Sequence, residues 1–286
     1  MMHSASYCLS HLRAVDYERY LATLYAPPSK RPHLAALFAF NAEIARIRET
    51  VKDPLLGEIR LRWWRDALDN SEELQTAALG PVLQALRATI IEFDLPKEAF
   101  LRYCDARLFD LYNDPMPDMV AFEAYCRETA CMLLQLSCQI LNKDAAKIAD
   151  DACVYGGFAQ AMGGLLRMLP ITQARAQIYL PMDIIKAAGA EAEDVLEGRL
   201  NKGQKRLIIE AATALAWDYY QALCVHYKAV PKVLLSAFLP LALIPHSLRQ
   251  SVRLGAENFT KVPTFSSLRR YSAMAKMALT GHLPSL

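Results

Sequence analysis

The sequence predicts an all-α protein, folded as a single helical bundle over residues 1–286. Apolar residues recur at intervals of three and four along most of the chain, which is the spacing of one helix face. No useful length of sequence alternates apolar and polar residues with period two, as a half-buried strand would. The chain also has only 11 glycines, fewer than a β-sandwich or a glycine-rich nucleotide-binding fold favours. We therefore expect about ten helices.

The clearest helical pattern lies in residues 34–51, where apolar side chains fall at Leu34, Leu37, Phe38, Ile44, Ile47 and Val51. A second helix is predicted to begin at Pro54 with Asp53 as its N-cap, because aspartate caps helices well and proline suits the first helical position. Glu58 would then lie near the positive end of the helix dipole. This helix should run to about Leu68.

Further helices are predicted at 81–93, 98–112, 118–142, 145–169, 203–227, 233–249 and 266–279. Breaks between them are predicted at residues 94–96, 113–117 and 170–181, which carry proline or asparagine–aspartate turn signals. Pro170 is expected to bend or end its helix, because it lacks the N–H of a helical hydrogen bond.

Charge and cysteine content argue against several classes of function. The formal net charge of +2 does not indicate a nucleic-acid-binding surface. None of the seven cysteines forms a CxxC pair, so we expect buried free thiols in a reducing compartment.

Residues 1–20 carry charges instead of the apolar core of a secretory signal, and the apolar stretch 233–245 is too short to span a bilayer. The expected location is the cytoplasm, either free or peripheral on the inner membrane face of a bacterium.

Two groups of short motifs carry more specific information. The first group comprises Arg19-Tyr20-Leu21, Arg31, Leu37-Phe38-Ala39-Phe40-Asn41, Gly57-Glu58-Ile59-Arg60-Leu61 and Trp63-Trp64-Arg65. The second comprises Leu166-Arg167, Pro170, Arg175 and Tyr179-Leu180-Pro181-Met182-Asp183. Together, and in this order, they resemble the squalene/phytoene synthase superfamily from about residue 16 to residue 278.

The resemblance implies the isoprenoid (terpenoid) synthase fold, a single helical domain with a central apolar cavity. Active members join two prenyl diphosphates head to head. They use two DxxxD motifs, whose aspartates share a helix face and hold Mg²⁺ against the diphosphate. This sequence departs from both motifs. It reads Ala45-Arg46-Ile47-Arg48-Glu49 at the first position and Met168-Leu169-Pro170-Ile171-Thr172 at the second. Only Glu49 keeps a carboxylate, so we predict no metal site, no cofactor and no catalytic residues.

The departures themselves resemble one branch of the superfamily, which contains the mitochondrial assembly factor of respiratory complex I and its bacterial relatives. The resemblance implies a non-catalytic assembly factor, with complex I subunits or assembly intermediates as partners and, in a eukaryote, a mitochondrial location. The alternative is a head-to-head prenyltransferase of the squalene/phytoene synthase type that uses Mg²⁺. Whether the chain is an enzyme is left open between these two.

Six residues are predicted to bind a ligand at the cavity: Asn41, Arg48, Glu49, Arg167, Arg175 and Tyr179. We expect the ligand to be a lipid-like anion, because arginines stand where Mg²⁺ would bind and the cavity is apolar. An internal ion pair explains Arg48 equally well and explains Arg46 better. A helix C-terminal cation explains Arg167 almost as well. A structural role, in which Tyr179 helps to fold the following loop over the cavity, explains Tyr179 better than ligand binding.

Two further features have alternative interpretations. The glycines at 156–157 and 163–164 lie inside a helical pattern, where each costs about 1 kcal/mol relative to alanine. They allow either close helix packing or room for a ligand. Trp63 continues the apolar stripe of Leu56 and Ile59 and is expected in the core. Trp64 is left open between the core and a partner-binding surface.

Overall fold

A computed structural model describes residues 2–51, 53–69, 80–264 and 266–285. Throughout these residues the regular structure is helical and no strand is present, which confirms the all-α prediction. The α-helices, in chain order, are α1 Met2–Val15, α2 Tyr17–Leu24, α3 Arg31–Ala45, α4 Ile47–Thr50, α5 Pro54–Asp69, α6 Pro81–Phe93, α7 Lys97–Ala106, α8 Met119–Cys126, α9 Met132–Leu141, α10 Lys143–Ile148, α11 Asp150–Ala174, α12 Met182–Ala187, α13 Ala192–Leu196, α14 Lys202–Tyr227, α15 Leu235–Phe238, α16 Ile244–Leu254 and α17 Ser267–Thr280.

The helices form two compact units, and each unit consists of three separate stretches of chain. The first unit contains residues 1–112, 132–150 and 229–240, and the second contains residues 113–131, 151–228 and 241–286. Neither unit is one continuous segment of sequence. The expectation of a single domain over residues 1–286 stays a prediction.

Helix α3 is the centre of the first unit. Every residue from 34 to 42 is buried, because α1, α6 and α9 all pack against this helix. Full burial explains why its sequence is apolar on more than one face. Helix α5 packs against α7 and the 3₁₀ turn Arg107–Leu111.

Helix α14 organises the second unit, where it packs against α12, α16 and the 3₁₀ turn Gly255–Phe259. It begins with a capping box in which Asn201 and Gln204 each accept a hydrogen bond from the other's backbone N–H. The second unit also contains α8 and the π-helical turn Arg127–Cys131 that follows it. Gly157 of α11 lies against this turn, where an added Cβ would stand 2.7 Å from the Cys131 Cα.

The N-cap predicted at Asp53 is confirmed, and two other predicted helix starts lie at side-chain caps. The Asp53 side chain accepts from the Leu55 N–H at 2.9 Å, and Pro54 is the first residue of α5. Asp118 and Ser266 cap α8 and α17 in the same way. Other boundaries were wrong. The predicted helix 34–51 breaks at Arg46, the predicted helix 145–169 is two helices with Asn142 as the first N-cap, and α11 continues past Pro170.

The apolar stretch predicted over residues 233–245 belongs to a longer helical segment in the structure. Residues Lys232–Phe259 are long and apolar enough to cross a membrane by composition, but 72% of the most apolar window is buried within the protein. A buried core helix passes the same test, so this stretch is weak evidence for a membrane span. The cysteines match the prediction of free thiols, and all except the partly exposed Cys224 are buried.

Candidate functional site

The segment where the first acidic motif would stand is not a continuous helix. Helix α3 ends at Ala45, Arg46 forms a turn, and α4 starts at Ile47. The Glu49 N–H bonds to the Arg46 carbonyl at 3.0 Å, three residues back instead of four. Because this bond tightens the turn, Ala45 and Glu49 are not related as two residues of one α-helical face.

The charges around this break are mostly exposed. Arg46 pairs with Glu49 at 3.9 Å, and about half of the Arg46 side chain is in solvent. This confirms the ion-pair interpretation of Arg46, and an exposed pair of this kind contributes about 0–1 kcal/mol. Arg48 is half-buried.

Asn41 is buried because it has a specific partner. The Tyr103 hydroxyl donates to Asn41 Oδ1 at 2.7 Å, and Tyr103 is fully buried. The Tyr103 ring packs against Phe40 and lies beneath the Arg107 guanidinium, 5.0 Å from it. Burial raises the pKa of Tyr103, and the nearby Arg107 charge opposes that rise. The sequence showed a polar residue within an apolar stripe, but its partner is 62 residues away and could not be identified from spacing.

The second segment lies on a helix that runs through a proline. Helix α11 extends to Ala174 with Pro170 inside it. Pro170 cannot donate to the Leu166 carbonyl four residues earlier. The buried Asn258 side chain donates to that carbonyl instead, at 2.7 Å. This substitute donor explains why the helix does not end where the sequence predicted.

The three predicted residues of this segment lie in different environments. Arg167 is half-buried on α11, while Arg175 is exposed directly after the helix. The helix ends at Ala174, and Ala176, two residues later, has a left-handed φ of 53°. The Gln177 N–H bonds back to the Thr172 carbonyl at 2.9 Å, as in a Schellman C-cap. Tyr179 is half-buried and lines a cavity of about 10 Å³ with Leu169, which has room for about one water molecule.

The structure therefore places the six predicted ligand-binding residues in two groups. Asn41, Arg48 and Glu49 belong to α3 and α4 in the first unit, and the other three belong to α11 and the loop after it in the second unit. Their assignment to a ligand stays a prediction.

The residues present at these two positions do not fit Mg²⁺. Mg²⁺ requires hard oxygen ligands in near-octahedral geometry. The first segment offers one carboxylate, Glu49, which is already close to Arg46, and residues 168–172 offer none. In the described part of the chain, no three histidine, cysteine, aspartate or glutamate side chains are grouped so that they could hold a metal ion.

A separate groove of about 620 Å³ lies in the first unit. It is bordered by α1, the end of α3, α5 and the start of α6, and includes His11, Glu43, Ile59, Arg60 and Trp63. None of the six predicted residues borders it. His11 and Glu43 approach to 3.4 Å at its wall.

The two tryptophans of α5 correct the prediction made for Trp63. Trp63 is 46% exposed, whereas Trp64 is only 9% exposed. Trp64 packs edge-on against Phe40 with ring centroids 5.5 Å apart. The sequence contains two apolar stripes on this helix, and the buried one runs through Leu61 and Trp64 instead of Ile59 and Trp63.

Sequence comparison finds related proteins that match most of the chain. Residues 12–270 match the family model described as squalene/phytoene synthase. The protein of Rattus norvegicus named NADH dehydrogenase (ubiquinone) complex I, assembly factor 6, is 30% identical over 88% of this chain and 75% of its own length. The Homo sapiens protein of that name has the same identity and coverage. The phytoene synthase of Thermus thermophilus is 26% identical over 69% of this chain and 66% of its own.

Solved structures share the fold at lower identity. A dehydrosqualene synthase in complex with ligand superposes with a TM-score of 0.77 at 16% identity, covering 98% of both chains. The squalene synthase HpnC from Alicyclobacillus acidocaldarius gives 0.64 at 20% identity, covering 99% of this chain and 96% of its own. These structures carry the isoprenoid synthase fold that the sequence predicted.

Proposed function

Since the chain belongs to the squalene/phytoene synthase family, we propose that it keeps the family fold and acts without catalysis as an assembly factor for respiratory complex I. The observation that carries this proposal is the extent of the similarity. Relatives named as complex I assembly factors match over most of the chain, whereas the phytoene synthase of Thermus thermophilus matches over about two thirds of it.

The chemistry of the two motif positions supports a non-enzymatic role. The helix break at Arg46 and the pairing of Arg46 with Glu49, the one carboxylate of residues 45–49, support this role, because the several Mg²⁺ ions of a prenyl diphosphate complex need several carboxylate ligands. At the second position, Pro170 and its apolar neighbours supply no ligand. Fold alone does not determine function, so the site residues carry this part of the argument.

A capture experiment tests the physical association that the proposal requires. The full-length chain, tagged at its C-terminus, is purified from membranes of a strain in which complex I synthesis has just been induced. We expect complex I subunits or partly assembled intermediates, enriched relative to the mature complex. The location would then be the membrane where complex I assembles, in a bacterium or a mitochondrion. Absence of complex I subunits at every time point contradicts the proposal.

The second candidate is a head-to-head prenyltransferase, favoured by the similarity to phytoene synthase. It is tested with purified protein and farnesyl or geranylgeranyl diphosphate, with and without Mg²⁺. The main proposal predicts no pyrophosphate release above the protein-free control. Mg²⁺-dependent release that follows protein concentration would establish the prenyltransferase.

We also propose that Arg48, in the first unit, and Arg167, in the second unit, each bind the anionic group of an amphipathic ligand such as a prenyl phosphate. The half-burial of both side chains supports this, because a partly desolvated guanidinium binds phosphate strongly. Calorimetry with farnesyl monophosphate should give weak binding that a chelator does not change and that Arg48→Ala or Arg167→Ala reduces. The exposed Arg206→Ala, on α14, serves as the matched control.

A further inference from the structure

Helix α5 is apolar on two opposite sides. Its buried side includes Gly57, Leu61, Trp64 and Leu68. The opposite side carries four large apolar residues that remain 46–59% exposed, which we call the α5 face: Leu55, Leu56, Ile59 and Trp63. The solvent side of a surface helix is normally polar. A run of large exposed apolar side chains marks an interaction surface more often than a single one does.

The orientation of α5 is fixed, so this exposure is not removed by rotating the helix. Gly57 lies so close to the 3₁₀ turn before Tyr112 that an added Cβ would stand 2.6 Å from the Leu111 Cδ2. Arg65 pairs with Asp105 of α7 at 2.9 Å. Together with the packing of Trp64 against Phe40, these contacts hold the α5 face outward.

Two arginines lie on either side of the α5 face. At 100° per residue, Arg60 falls beyond Leu56 on one side and Arg62 falls beyond Leu55 on the other. Both arginines are exposed. Arg60 donates to the Thr50 hydroxyl at 2.7 Å, and within the described residues neither arginine forms an ion pair with a carboxylate. By the same geometry the exposed Asp66 falls on this side of the helix, three residues beyond Trp63, and Glu43 lies in the groove wall 3.4 Å from His11. The surface therefore combines an apolar centre with an arginine on each side, and its two carboxylates lie at Asp66 and at the His11 pair.

Part of the α5 face is concave. Ile59 and Trp63 form one wall of the groove of about 620 Å³, and Tyr7 and Pro81 border it from α1 and α6. Tyr7 is itself 44% exposed. A groove of this kind accepts side chains that project from a partner, whereas a flat lipid surface would touch only its rim. Exposed tryptophan and arginine are also the residue types that most often dominate binding energy at protein interfaces.

We propose that the α5 face and its groove bind an acidic amphipathic helix of a partner protein, with apolar anchors in the groove and carboxylates on Arg60 and Arg62. The distance along α5 from Leu55 to Trp63 is about 12 Å, or roughly two helical turns. This length matches the span of three apolar side chains at positions i, i+4 and i+7 of a bound helix. The inference goes beyond the assembly role and rests on none of the residues proposed to bind a lipid-like anion.

The experiment measures binding of two designed peptides to the full chain by fluorescence polarisation. Both peptides carry leucines at i, i+4 and i+7, and their flanking positions are glutamate in one and lysine in the other. The protein variants are Ile59→Glu, which places a charge on the apolar face, and the double variant Arg60→Ala with Arg62→Ala. The matched control is Leu279→Glu on α17, where the leucine is 87% exposed and far in sequence from α5. Circular dichroism checks that each variant is folded.

We expect saturable binding of the glutamate peptide that is at least about tenfold tighter than binding of the lysine peptide, equivalent to about 1.4 kcal/mol. Ile59→Glu should weaken it at least tenfold on the same scale, and Leu279→Glu should leave it unchanged. The double arginine variant should remove most of the preference for glutamate over lysine. Quenching of the protein's tryptophan fluorescence by iodide should fall when the glutamate peptide binds, because Trp63 is 46% exposed in the free chain.

Five results would overturn the proposal. The first is no saturable binding of the glutamate peptide, and the second is equal affinity for both peptides. The third is a wild-type dimer that Ile59→Glu dissociates, which would make a second copy the occupant. The fourth is binding that appears only after residues 70–79 are deleted, which would assign the groove to the chain's own segment. Binding to anionic vesicles that the glutamate peptide does not displace would equally assign the face to a membrane.

Discussion

Asn258 donates a hydrogen bond to the Leu166 carbonyl at 2.7 Å, and this carbonyl is the one that Pro170 leaves without its helical donor. The two residues are 92 positions apart in sequence. Because Asn258 is fully buried, water does not readily replace it. A side chain from the turn after α16 thus allows α11 to continue to Ala174.

This relationship predicts a coupling between Asn258 and Pro170. Asn258→Ala should destabilise the protein by about 1–3 kcal/mol, because it leaves a buried carbonyl without a donor. In a Pro170→Ala background a backbone N–H is restored, so the same change should cost less, with a coupling energy of at least about 0.5 kcal/mol. Urea unfolding of the wild type, the two single variants and the double variant measures this coupling energy. Strictly additive effects would contradict the assigned role of Asn258.

The glycines of α11 give a matched pair of substitutions. An added Cβ at Gly157 would stand 2.7 Å from the Cys131 backbone, whereas at Gly164 nothing lies within 4 Å. Gly157→Ala should therefore destabilise by more than about 2 kcal/mol, since the backbone must move. Gly164→Ala should stabilise by up to about 1 kcal/mol through helix propensity. Thermal unfolding compares them, and equal effects of the two changes would count against the close approach of α11 to the π-helical turn.

The buried pair of Asn41 and Tyr103 predicts a stability loss without a volume change. Tyr103→Phe keeps the ring against Phe40 but removes the donor to Asn41 Oδ1. We expect a loss of about 1–3 kcal/mol for the unsatisfied amide oxygen. Asn41→Leu combined with Tyr103→Phe should recover part of that loss. If Tyr103→Phe is neutral in denaturant unfolding, the hydrogen bond does not contribute as described.

Acidification should lower the free energy of unfolding through protonation of His33, a residue of the first unit. Burial lowers the pKa of His33, the nearby Glu92 opposes this change, and Lys30 adds to it. A lowered folded-state pKa means that the unfolded chain binds the proton more readily. The neutral His33 ring therefore contributes fully to folding stability above the unfolded-state pKa of about 6.5, and this contribution is lost as the pH falls.

His33→Gln provides the comparison for this pH dependence. Between about pH 7 and pH 5 the variant should lose less unfolding free energy than the wild type. Proton NMR of the wild type should show the His33 ring titrating below about pH 6.5. A His33 pKa above that value would reverse the predicted sign.

The sequence predicted the elements whose signals are local. The helix starts predicted at Pro54, Asp118 and Ser266 lie within one residue of the starts of α5, α8 and α17, because a short polar side chain precedes each helix. The continuation of α11 was not, because the donor that compensates Pro170 lies far away in sequence. Tyr103, the partner of Asn41, was not predicted because it too lies far away in sequence.

Helix α5 shows a different limit. Its sequence contains two apolar stripes at helical spacing, and periodicity alone cannot tell which one faces the core. The wrong stripe was assigned to the interior, so Trp63 was placed in the core. Gly57 carried the missing signal, because a glycine on one stripe indicates the side of close packing. The candidate site depended on family resemblance, since the six predicted residues share no local pattern that spacing could reveal.

The most direct measurement of the central claim is the amount of assembled complex I in a strain that lacks this chain. Membranes of the deletion strain, and of the same strain with the gene restored, are compared by native gel and by NADH:quinone activity, with prenyl products quantified in parallel. The account predicts less assembled complex I and lower activity in the deletion strain, recovery on restoration, and unchanged isoprenoid products. Normal complex I with a loss of squalene or phytoene would contradict it.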